Sequence, residues 1–69
     1  MGKFDLEKSK EWYYDAVESC LILRGKTRKE AQELLANYQL KERLEQFPYV
    51  QLHYDVEAIA EEVVELAKK

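Results

Sequence analysis

"RGKTRKEA", residues 24–31, sets four basic side chains into six positions of a chain whose net charge is −3. Two readings compete for it, a joint between two helices and a grip for phosphate. As a joint, nearly every residue has its own reason. Arg24 suits the C-terminal end of a helix, where the dipole favours a cation. Gly25 supplies the left-handed residue that lets the chain turn away. Thr27 and Glu30 have the spacing of a capping box, in which each side chain satisfies an amide near the other. Arg28 and Lys29 sit close to Glu30 and Glu33, so much of the charge is balanced locally. As a grip, Arg24, Lys26, Arg28 and Lys29 neutralise a few phosphates, beside the free amides of a helix start. A P-loop is excluded, since it needs a second glycine and a Lys-Ser/Thr pair after it. The joint is the preferred reading, and it predicts helix on both sides.

Upstream, a first helix starts near Asp5 or Ser9, either of which can cap a first turn, and ends near Arg24. At 100° per residue, Leu6, Trp12, Tyr13, Ala16, Val17, Cys20 and Leu23 share one broad face, with Leu21 at its margin. Tyr14 and Ile22 fall outside that face. Downstream, Ala31, Leu34, Leu35 and Tyr38 continue a second helix. Leu40, Leu44 and Phe47 keep helical spacing but point to the opposite side, so a break or kink is expected around "ANYQL", near Asn37. Pro48 closes this segment. The following "YVQLHYDV" (49–56) alternates like a strand, yet its only pairing edge is the short "KFDL" near the N-terminus. A loop or briefly extended segment over 49–54 is therefore expected. The last helix is capped by Asp55, has Glu57 in its first turn, and buries Val56, Ile59, Ala60, Val63, Leu66 and Ala67. Lys68 and Lys69 close it.

This length holds one domain, residues 1–69, and a small core. A chain of roughly 60 residues buries only about 60% of its unfolded surface. Cys20 is the only cysteine and His53 the only histidine, so neither an intrachain disulfide nor a four-ligand zinc site is expected. Self-association, as a homodimer, or idealised helix packing remain as means of support. The acidic balance disfavours a protein that coats nucleic acid or anionic membrane. No apolar run is long enough to span a bilayer, the start "MGKFDLEKSK" is polar, and Leu6 spoils a myristoylation motif at Gly2. A soluble cytoplasmic protein is expected.

The middle segment also permits a helix-turn-helix reading. Its second helix offers Lys41, Arg43 and Gln46, but Glu42 and Glu45 would face phosphate, and the turn lacks a glycine. "LRGKTRKEAQELL" (23–35) loosely resembles the loop and second helix of ubiquitin-associated domains, and "VEAIAEEVVEL" (56–66) their last helix. That resemblance implies a compact three-helix bundle. The stretch from Tyr38 to Val56 is far longer than the family's pattern, and membership is not claimed.

Catalysis has little to stand on. Ser9, Ser19 or Cys20 with His53 and an aspartate is the only nucleophile–base set available. Glu57 and Glu61, one turn apart, are more simply a solvated face than a metal site. No glycine-rich loop exists for a cofactor, and none is expected, nor is a small-molecule ligand. What remains is an apolar surplus of five tyrosines, one tryptophan and two phenylalanines for a small interior. Tyr14, Ile22 and Tyr49 do not fit the expected core and are the candidate partner-binding residues.

The expectation is an all-α bundle of three helices, or four if the middle segment breaks fully, with an irregular or extended piece before the last. The expected role is that of a non-enzymatic interaction or accessory protein that binds a protein partner or a second copy of itself. The alternative is a nucleic-acid accessory protein that uses Arg24, Lys26, Arg28 and Lys29.

Overall fold

In the computed structural model, which describes residues 5–68, the chain is all-α. Five helices follow one another: α1 (Leu6–Leu23), α2 (Arg28–Tyr38), α3 (Leu40–Gln46), α4 (Pro48–His53) and α5 (Val56–Ala67). Helix α1 touches all four others, and α2 and α5 complete a three-helix core with it. The shorter α3 and α4 link α2 to α5 and lie against α1.

The start of α1 is set by Asp5, whose carboxylate accepts a hydrogen bond from the Lys8 amide at 3.1 Å. Its end is the joint. Gly25 has φ +99°, the Gly25 amide donates to the Ile22 carbonyl at 3.0 Å, and the Lys26 amide donates to the Leu21 carbonyl at 3.1 Å. This is the Schellman pattern, which satisfies two carbonyls that a helix end leaves without partners. Helix α2 then opens with both halves of the capping box. The Glu30 amide donates to the Thr27 hydroxyl at 3.1 Å, and the Thr27 amide to the Glu30 carboxylate at 2.9 Å.

The break in the middle segment is complete and falls at Gln39 rather than Asn37. Gln39 adopts the left-handed conformation, φ 64° and ψ 40°. Arg43 secures it from the next helix: its Nε donates to the Tyr38 carbonyl at 3.4 Å, and its guanidinium lies 4.4 Å from the centre of the Tyr38 ring. The half-turn offset between the two apolar sets is thereby resolved, since Tyr38, Leu40 and Leu44 all reach the core.

Residues 49–54, expected to be a loop or extended segment, are mostly helix. Pro48 does not merely end α3; it starts α4, where its missing amide costs nothing and its fixed φ suits a first turn. The apparent alternation does not survive. Gln51 is buried and Leu52 half-buried, whereas Val50 and Tyr54 are exposed. Only Tyr54 and Asp55 are extended before α5 begins. Asp55 occupies the N-cap position of α5 but makes no side-chain capping bond. Of the suggested pairing edge "KFDL", Asp5 caps α1 and Leu6 begins it, while Lys3, Phe4, the Gly2 motif and Lys69 lie outside the described residues.

The core consists of Tyr13, Val17 and Leu21 from α1, Ala31, Leu35 and Tyr38 from α2, Leu40 and Leu44 from α3, and Ile59, Ala60 and Val63 from α5. The buried side of α1 is therefore turned by roughly 70° from the face drawn on apolar count alone. Trp12 and Leu23, assigned to that face, are 65% and 86% exposed. Lys10, one turn before Tyr13, is buried instead. On α5, Leu66 and Ala67 are likewise exposed, and Val64 takes part in the packing.

Candidate functional site

Three surface features bear on function. The first is the joint. Arg24, Arg28 and Lys29 are exposed, and Lys26 is partly so. The local charge balance expected from Glu30 and Glu33 is not formed, because the ion pairs among the described residues involve only Lys10 and Lys68. Glu30 is occupied by the capping box. The hydrogen bond from the Thr27 backbone amide, together with the Thr27 hydroxyl, holds the Glu30 carboxyl below the usual carboxylate range, aided by the Lys26 charge. The grip also loses donors to the joint, since the Lys26 and Glu30 amides are already bonded inside the protein. The helix-turn-helix reading fails on geometry: α2 and α3 meet through one residue, Gln39, where such a motif uses a turn of about three or four.

The second feature is an open groove of about 520 Å³ between α1 and α3. Tyr14 and Leu44 give it apolar surface, with Glu11, Asp15, Lys41 and Glu45 around them. Lys10 bridges the two helices here. Its ammonium is 2.9 Å from a Glu7 oxygen and 3.2 Å from a Glu45 oxygen, with the side chain only 9% exposed. The hydrogen bond to Glu7 is the main reason its pKa is raised above 10.5, against the opposing effect of burial. Tyr14 is half-buried, and its phenol is pushed up by burial and by the charges of Glu18, Glu42 and Asp15.

The third feature is an apolar ridge around α4. Phe47, Tyr49, Val50 and Tyr54 are all more than half exposed, with Tyr49 the most open at 69%. The three residues singled out from sequence thus occupy different places. Tyr14 is in the groove and Tyr49 on the ridge. Ile22, at 37% exposure, lies on α1 two turns beyond Tyr14. Phe47, Val50 and Tyr54 were not singled out because Phe47 shares helical spacing with Leu40 and Leu44, and the alternation over 49–56 sets Val50 and Tyr54 on the same side as Leu52. The Lys10 bridge was missed because the buried face of α1 was drawn from apolar residues alone, although the period Lys10, Tyr13, Val17 carries the signal.

The residues that could make a nucleophile and base are not assembled. Ser9 and Ser19 lie on α1, Cys20 packs half-buried against the core, and His53 is exposed at the end of α4. No hydrogen bond among the described residues joins any of them. Nor does any set of three or more His, Cys, Asp or Glu among those residues come close enough to share a metal ion. No helix among them is long and apolar enough to cross a membrane.

No protein-family model, curated protein or solved structure matches this chain. The likeness to ubiquitin-associated domains therefore carries nothing further, and the functional reading rests on these surfaces.

Proposed function

We propose that the chain is a non-enzymatic interaction module that binds a protein partner over the apolar ridge of α4. One observation carries this reading: Phe47, Tyr49 and Val50, interrupted only by Pro48, stand more than half exposed together with Tyr54. Single exposed apolar residues are ordinary, but four of them within eight residues, two of them tyrosines, have the composition of an interface centre. The fold itself does not need them outside. Helix α4 is held by Gln51, Leu52 and Pro48, and Tyr49 and Val50 contribute little to the core. The test is affinity capture with wild-type protein and the Tyr49→Lys variant, after both are shown to be equally helical by circular dichroism. Loss of one captured protein with Tyr49→Lys supports the ridge. Equal capture by both excludes it.

A second reading has its own observation: Arg24, Lys26, Arg28 and Lys29 form no ion pair among the described residues. Four unpaired cations at one joint suit a positioning contact with nucleic-acid phosphate, though not readout of bases. Binding of this kind weakens steeply with salt. Binding to a duplex that persists after all four become alanine removes this reading.

A further inference from the structure

The groove between α1 and α3 combines an apolar floor with a mostly acidic rim. Half-buried Tyr14 and buried Leu44 make the floor. Four carboxylates and two ammonium groups line the rest. Lys10 is not free among them, since Glu7 and Glu45 both hold it. Glu11 and Asp15 are exposed and form neither ion pairs nor side-chain hydrogen bonds among the described residues. Lys41 is the one cation of the lining left unpaired among those residues. Carboxylates beside the groove outweigh it. The pKa of the Tyr14 phenol is raised first by burial and then by the charges of Glu18, Glu42 and Asp15, every one negative.

We infer that this groove seats a short basic segment of a partner protein, with lysine or arginine at alternate positions. Charge complementarity selects the occupant. The rim repels an anion. A lone metal ion finds no seat, because no three carboxylates among the described residues come close enough to share one. A purely apolar side chain would cover the floor but take Glu11 and Asp15 out of water without a partner. A lysine or arginine side chain meets both halves: its methylene stem lies along Tyr14 and Leu44 while its charged head reaches a carboxylate. Spacing sets the pattern. Glu11 and Asp15 are about 6 Å apart along the helix axis. Side chains two residues apart point to the same side of an extended chain at about 6.5–7 Å, so alternate basic residues match that pair. The span from Glu7 to Asp15 is about 12 Å, which about four extended residues cover. The surface differs from the α4 ridge, so the inference goes beyond the ridge reading, and either can fail without the other.

The experiment titrates the isotope-labelled chain with an end-blocked pentapeptide, Arg-Ser-Arg-Ser-Arg, and follows the backbone amide signals by NMR at low salt. Shifts should cluster on α1 and α3 around Tyr14 and Leu44 and saturate with a Kd below about 1 mM. Glu11→Gln/Asp15→Asn should weaken binding about tenfold or more. Glu57→Gln/Glu61→Gln removes the same charge from exposed positions on α5 and should change it less than about twofold. Tyr14→Ala, which strips the floor, should weaken binding at least about threefold with helicity unchanged. Three results overturn the inference: no clustered shifts on α1 and α3 at about 5 mM peptide, equal weakening by the two charge pairs, or binding indifferent to Tyr14→Ala. Equal weakening would mean only that an acidic chain attracts a basic peptide. Shifts centred on α4 also overturn it and leave the ridge reading standing. If Tyr14→Ala unfolds, the two charge pairs decide, since all four of their side chains are exposed.

Discussion

The hydroxyl of Tyr13 donates to the backbone carbonyl of Tyr54 at 2.9 Å, joining positions 41 residues apart. Tyr13 is almost wholly buried in α1, and Tyr54 is the first extended residue after α4. The bond thus ties the middle of α1 to the link that sets where α5 begins. Replacing Tyr13 by Phe keeps the ring and removes the donor. A hydrogen bond of this type contributes about 0.5–1.5 kcal/mol net, and urea unfolding of Tyr13→Phe should show a loss in that range. Tyr13→Ala should cost more, about 3–5 kcal/mol, because a large cavity opens beside Val17. Equal effects from the two variants would show that the bond, and not the packing of the ring, holds the link.

The Lys10 bridge predicts a pH dependence with a definite sign. Its pKa is raised in the folded chain, chiefly by the bond to Glu7. A cation whose folded pKa lies above its unfolded value stabilises the fold at every pH below the unfolded value. That contribution disappears as pH rises from about 10.5 through the folded pKa. Lys10→Met keeps most of the buried stem and removes the charge. The difference in urea midpoint between wild type and Lys10→Met should be constant near neutrality and change only above that pH. A difference that changes between pH 6 and 8 would assign it to some other group.

Much of the fold was legible because the signals were local. Asp5, Gly25, Thr27 and Glu30 act through amides within a few residues, and each does what its spacing implies. The 70° error on α1 was of another kind. Counting apolar residues weights Trp12 and Leu23, yet which side of a helix is buried depends on where its neighbours lie. Lys10 is buried with two partners, and one of them, Glu45, is 35 residues away and beyond the reach of a local pattern. Likewise α4 looked like a strand because alternation over six residues also fits a short helix that buries Gln51. The candidate site was the least legible part: exposure at Phe47, Val50 and Tyr54 is decided by packing and not by residue type.

That error has a direct test. Trp12→Ala removes a ring that is 65% exposed and should change stability by less than about 0.5 kcal/mol, as surface substitutions do. Leu21→Ala removes a side chain with no exposure at all and should cost about 2–5 kcal/mol. The two unfolding curves rank the alternative faces. A larger loss at Trp12 than at Leu21 would restore the orientation drawn from apolar count.

Gln39 offers the most specific prediction, because the fold depends on a conformation its side chain disfavours. At φ 64° it links α2 to α3, and its amide still donates to the Ala36 carbonyl at 3.1 Å. A non-glycine residue held left-handed costs about 1–2 kcal/mol. Gln39→Gly relieves that cost but gives the unfolded chain more freedom to lose, worth about 0.4–1 kcal/mol the other way. Gln39 is exposed and no side-chain hydrogen bond from it is present among the described residues, so little else is lost. A net gain of about 0.5–1 kcal/mol is expected. Gln39→Val, whose branched Cβ resists the same backbone, should lose at least about 1 kcal/mol. Glycine more stable than glutamine, and valine less stable than both, is the order that a left-handed hinge requires. If glycine instead destabilises and valine is tolerated, α2 and α3 are joined in some other way, and Leu40 and Leu44 owe their place in the core to a different bend.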